Sequence, residues 1–158
     1  MPFWRVYYHL IWATKYRQPS ISATVEALLY PELQRRASTM DVLVYASDGY
    51  VDHVHMVVSI PPKLAVADVI RQFKGGSAHA INATMPSDPS FQWQRGYGVL
   101  SIGERQRPIV ESYVRNQKQH HSAQSLNNWL EHSPDDDDPL AGPQLREQPE
   151  IYQIGDIP

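Results

Sequence analysis

A chain of 158 residues with 42% hydrophobic side chains is long enough for one domain with a real core. It contains no cysteine, which excludes disulfides and thiolate metal sites and leaves His, carboxylate and amide side chains as ligands. With no apolar run near the ~18 residues of a membrane span and no basic-then-apolar leader, a soluble, cytoplasmic protein is expected. The net charge of −3 hides a division: residues 1–121 carry 13 Lys+Arg against 9 Asp+Glu, whereas residues 122–158 carry 1 against 8. A mildly basic body with an acidic tail is compatible with nucleic-acid binding.

Residues 3–14 read as a long first strand. Trp4, Val6, Tyr8, Leu10 and Trp12 form its apolar face, and Arg5, Tyr7 and His9 the other, expected to be a half-exposed sheet surface. Lys15 and Arg17 make a basic exit. Residues 22–38 have helical spacing, with Pro31 expected to kink or break the helix. Residues 41–50 and 51–60 read as two strands joined through Asp48-Gly49. Helical spacing returns over 65–74, and Gly75-Gly76 is expected to interrupt it, either as a helix terminus or where backbone approaches a phosphate. A Pro/Ser-rich loop over 83–96 ends in Phe91-Gln92-Trp93-Gln94-Arg95 and leads to a fourth strand at 97–102. Pro108 suits the first turn of a last helix over 107–121.

The order β-α-β-β-α-β plus a terminal helix predicts an α+β, ferredoxin-like (split βαβ) antiparallel sheet. Residues 1–122 are expected to form the domain. Residues 123–158, with Asp135–Asp138 and several prolines, are expected to be a disordered acidic tail in which Trp129 and Leu130 dock locally.

Two segments carry chemistry. Strand alternation places His53 and His55 on one face, opposite Val54, Met56, Val58 and Ile60, so that two imidazoles can converge on one ion. In the last helix, Tyr113 and Gln117 are four apart and share a face. A phenol and an amide oxygen brought to a His pair would make a metal-assisted nucleophile site.

His53-Val54-His55 resembles the His-hydrophobe-His signature of the HUH endonucleases. Tyr113 followed by Gln117 resembles the helix of their single-tyrosine branch, the insertion-sequence and REP-associated tyrosine transposases. The stretches His9–Arg17, Trp93–Gly98 and Gln117–His121 fit the same pattern, which spans residues 3–122; Tyr50-Val51-Asp52 stands where the family usually has Met-Pro-Asp.

The resemblance implies a transposase-type enzyme that cleaves and rejoins hairpin-associated single-stranded DNA through a 5′-phosphotyrosine. Tyr113 would be the nucleophile, and His53, His55 and Gln117 the ligands of a divalent Mg2+ or Mn2+. It also implies a homodimer in which Tyr113 can act in trans. Lys15, Arg17, Arg71, Lys74 and Arg95 are candidate phosphate contacts, and Trp93 and Tyr97 candidate stacking platforms. His120 and His121, in the last helical turn, are assigned a structural role. Two other readings stand beside this one. The first is a noncatalytic single-stranded nucleic-acid-binding protein, a domesticated or decayed family member that binds through exposed strand aromatics. The second is a metal-dependent hydrolase that uses water.

Overall fold

The computed structural model describes residues 2–128, 130, 131 and 133. The elements run β1 (Tyr7–Ala13), a 3-10 turn (Lys15–Arg17), α1 (Ala23–Thr39), β2 (Leu43–Gly49), β3 (His53–Ser59), α2 (Val66–Thr84), β4 (Gly98–Ile102), α3 (Arg107–Arg115) and α4 (Gln117–Ala123). The four strands form one antiparallel sheet in the order β2-β3-β1-β4, the expected split βαβ arrangement. The Asp135–Asp138 run, the later prolines and Trp129 lie outside the described residues. Among the described residues, no helix is long and apolar enough to cross a membrane.

Both faces of the sheet are covered. On one, α1 and α2 pack Leu29, Leu33, Ala37, Val69, Ile70, Phe73 and Ile81 against Leu10, Trp12, Val54, Met56 and Val58. On the other, α3 lays Val110, Tyr113 and Val114 over Tyr7, Ala46 and Val57, and Leu130 joins that cluster. The half-exposed surface expected for Tyr7 and His9 is therefore buried, because the last helix folds back across it. A β-bulge between Val44 and Ala46 supports this second cluster: Ala46 is buried in it and the Tyr45 ring packs on its edge.

Three local expectations change. Helix α1 runs unbroken through Pro31, whose missing donor removes one backbone bond while Leu29, Leu33 and Ala37 anchor the buried face. Helix α2 continues through Gly75-Gly76 to Thr84, because Gly76 is where the Arg36 side chain of α1 crosses it; a Cβ there would lie 2.3 Å from Arg36 Nε. Gly76 thus marks a helix–helix crossing, Gly75 has open space beside it, and the pair lies inside a continuous helix and is not its terminus. The expected helix over 107–121 is divided at Asn116 (φ −105°, ψ 24°). The Asn116 amide donates to the Ser112 carbonyl at 2.9 Å, competing with the helical ladder at that turn.

Candidate metal and tyrosine site

All seven residues of β3 are buried, and strand parity turns His53 and His55 toward α3 and α4. Each imidazole uses Nδ1 for a supporting partner. His53 Nδ1 lies 2.6 Å from Asp52 Oδ1, and His55 Nδ1 lies 2.8 Å from His9 Nε2. His9 sits on the neighbouring strand, with Val57 as its partner, while His55 pairs with Ile11; the two rings are diagonal neighbours on one sheet face. With Nδ1 engaged, both Nε2 atoms converge on the same space. This is the arrangement of a metal-binding histidine, where the second nitrogen fixes tautomer and ring orientation. In that tautomer, Nδ1–H of His55 donates to His9 Nε2. The remaining His9 nitrogen, Nδ1, is buried without a hydrogen-bond partner among the described residues.

Gln117 opens α4 fully buried, with Oε1 3.3 Å from His53 Nε2. Tyr113 reaches the same place from α3. Its ring is buried beside Val57, Val110 and Val114, at 6.2 Å from His55 between ring centroids. Its hydroxyl donates to Glu131 Oε1 at 2.6 Å and accepts from the Asn127 amide at 2.9 Å. A cleft of about 450 Å³ lined by Pro108, Ser112, Asn116 and His120 borders Tyr113. Tyr113 thus stands beside the His pair of its own chain.

Glu131 was not foreseen from the sequence. Its Oε2 lies 3.3 Å from His53 Nε2 and 3.2 Å from His55 Nε2, so His53, His55 and Glu131 form a group able to hold a metal ion. One glutamate in a tail dominated by acidic residues gives no signal in composition. His9, Asp52 and His121 were also not assigned to the site; the parity of His9 with the His pair was the available clue. His121, read as structural, stacks on Tyr50 at 4.3 Å and brings Nε2 to 3.1 Å from His53 Nε2. His120 stacks on Tyr113 at 4.4 Å.

The electrostatics follow from burial and these partners. Burial pulls the His53 imidazole down, but hydrogen bonds to Asp52 and Glu131 outweigh it and raise its pKa to about 9. Burial dominates at His55 and holds it below the ordinary imidazole value; at His9, burial and then His55 push it well below. Burial opposes ionisation of Glu131, yet the two imidazoles and Tyr113 keep its carboxyl far below the usual range. Burial and then the Glu131 hydrogen bond push the Tyr113 phenol up, so without added positive charge it stays protonated.

The expected DNA contacts are dispersed. Arg71 and Arg95 are exposed, with Arg71 paired to Asp68, and Arg17 lies 3.6 Å from Asp52. Lys74 donates to the carbonyls of Gln94, Arg95 and Gly96 at 2.6, 3.0 and 3.0 Å, clasping the loop before β4. The Trp93 ring packs edge-on against Trp12 and Phe91, and its indole N–H donates to Ser77. Lys74 and Trp93 are therefore engaged in holding the fold, whereas Lys15 borders an open cleft of about 800 Å³ beside the exposed Tyr16 ring.

Comparison with known proteins adds the family. The model of the family described as IS200-like transposase matches residues 2–117. The ISDra2 transposase TnpA of Deinococcus radiodurans is 29% identical over 115 residues, covering 70% of this chain and 82% of that protein. The transposase of insertion sequence element IS200 from Salmonella typhimurium is 27% identical over 120 residues, covering 72% and 78%. A crystal structure described as a Deinococcus radiodurans transposase superposes with a TM-score of 0.61 at 28% identity, covering 74% of this chain and 95% of that one. A REP-associated tyrosine transposase bound to a REP hairpin shares the fold, with a TM-score of 0.59 at 14% identity and 77% and 74% coverage. The chain belongs to the IS200-like transposase family, the single-tyrosine branch of the HUH endonucleases that its motifs resemble.

Proposed function

We propose that this chain nicks and rejoins single-stranded DNA through Tyr113, with a divalent ion held by His53, His55 and Gln117. The observation that carries the reading is the convergence of two Nε2 atoms, the Gln117 amide oxygen and the Tyr113 hydroxyl on one buried locus, from segments distant in sequence. The donor set of imidazole and amide fits manganese at least as well as magnesium, which prefers oxygen. When bound, the ion supplies positive charge that polarises the scissile phosphate and stabilises the developing oxyanion.

The chain's own residues do the rest. Asp52 and His9 fix the imidazole orientations through Nδ1. Helix α3 aims the Tyr113 oxygen, whose proton Glu131 accepts as a hydrogen bond. In the transfer, the Tyr113 oxygen bonds to phosphorus and the phosphorus–O3′ bond breaks. The phenolic proton leaves the tyrosine, and the departing oxygen takes up a proton as a 3′-hydroxyl. Attack by another 3′-hydroxyl reverses the step and reseals the strand.

The substrate is single-stranded DNA beside a hairpin, met in the cytoplasm. The cleft at Lys15, where the Tyr16 ring is 67% exposed, supports a path for an unpaired strand. The catalytic unit is residues 1–122, with Asn127, Leu130 and Glu131 returning onto it. Since Tyr113 lies beside its own His pair, a cis site is supported within one chain; the homodimer and its trans exchange are carried by family resemblance alone. A noncatalytic binder would present its strand aromatics to solvent, but Tyr7 and Trp12 are buried here.

The test is incubation with Mn2+ and a hairpin-bearing oligonucleotide labelled on the 3′ side of the cleavage point. A denaturant-resistant adduct is expected, mapping by mass spectrometry to the peptide containing Tyr113. Cleavage without an adduct would assign the chemistry to water, and an adduct on another residue would remove Tyr113 from the role.

A further inference from the structure

We infer that Glu131 is a fourth protein ligand of the divalent ion, so that the active site is completed by a segment beyond α4. The inference rests on the metal reading above and adds a residue to it. Glu131 does not dangle. Leu130, 1% exposed, is seated in the cluster of Val57, Val110, Tyr113 and Val114, and the Asn127 amide is bonded to the Tyr113 hydroxyl. Anchored by the residues just before it, the Glu131 carboxylate has one oxygen within 3.3 Å of both Nε2 atoms and the other on the phenol.

Donor chemistry favours a ligand over a mere neighbour. His53, His55 and Gln117 are a neutral set with a single oxygen donor, which suits a hard dication poorly. Adding the Glu131 carboxylate provides a second oxygen and one negative charge, leaving the occupied site net positive toward a phosphate. Side-chain exposure of 14% at Glu131 means that little water competes for its oxygens. The same carboxylate ties the ion's locus to Tyr113, so one group would set the spacing between nucleophile and metal.

The experiment is Mn2+ binding to the full chain, read by the electron paramagnetic resonance signal of free Mn2+, for the wild type, Glu131→Gln and His53→Ala. One site is expected in the wild type, abolished in His53→Ala and weakened about 10–100-fold in Glu131→Gln. Binding by Glu131→Gln as tight as or tighter than the wild type would overturn the inference and leave the His-based site standing. Wild-type binding that His53→Ala leaves unchanged would overturn the metal reading itself, as would no binding at all.

Hydrogen exchange on the wild type gives a second measurement that needs no variant. Because ligation links metal binding to docking of the segment, Mn2+ should slow amide exchange across residues 127–131. Faster exchange there would show that the carboxylate competes with the ion, unchanged exchange that the ion is indifferent to it, and either would overturn the inference.

Discussion

On the side of the sheet covered by α1 and α2, β1 and β3 present Leu10, Trp12, Val54, Met56 and Val58, all fully buried among apolar neighbours. On the other side the same two strands present His9, His53 and His55, buried just as deeply. Alternation along two strands thus produces a face that stabilises and a face that reacts, one residue apart. The first gains free energy from apolar area removed from water. The second holds ionisable groups that burial penalises, and it is tolerated because each has a partner. Burial alone therefore does not mark a residue as core.

That contrast can be broken from either side. The largest effect is expected from Tyr113→Phe: adduct formation on single-stranded DNA should fall by at least about 10³-fold. The unfolding free energy should move by only about 1–3 kcal/mol, the cost of leaving the Glu131 carboxylate and the Asn127 amide without that hydroxyl. Loss of stability comparable to a core truncation would place Tyr113 on the stabilising side. Next, Phe73→Ala empties a position stacked on Trp12 and should cost about 3–5 kcal/mol in denaturant unfolding. In protein that remains folded, Mn2+ affinity should be unchanged.

His9→Leu tests whether a buried residue without a direct ligand role belongs to the reactive side. Removing the group that holds His55 Nδ1 should weaken Mn2+ binding about 10–100-fold while the fold persists. Equal affinity in the variant would return His9 to the core.

The smallest effect is a slope. In metal-free protein, His53 binds its proton up to about pH 9, against 6.5 for an ordinary imidazole. Its contribution to stability is complete below pH 6.5 and is lost as pH rises through about 9. His55, shifted the other way, opposes this below its ordinary value. Unfolding free energy should therefore decline between these pH values, and the decline should be shallower in His53→Gln. Identical slopes would remove His53 as its source.

Much of this was legible in the sequence because period-two spacing placed His53 and His55 opposite Val54 and Met56, and helical spacing of four placed Tyr113 with Gln117. Where local rules failed, a distant contact had decided. Gly76 looked like a helix end because nothing in its own segment reveals Arg36 of α1. Trp93 and Lys74, read as nucleic-acid contacts, also have core and loop partners that lie in other segments and that no local rule reveals. Glu131 is chemically one carboxylate among 8 acidic residues in 37, and only the fold-back set by Leu130 distinguishes it.

Because the torsions at Asn116 depart from helical values, Tyr113 and Gln117 belong to two successive short helices. In a continuous helix their azimuths would be locked about 40° apart, and any roll that re-aimed one would swing the other. Here the non-helical turn at Asn116 sets the two directions separately, so the aim of the phenol and the placement of the amide are not dictated by one helical geometry. A substitution that restores helical torsions at Asn116 would return both side chains to the fixed offset of a single helix.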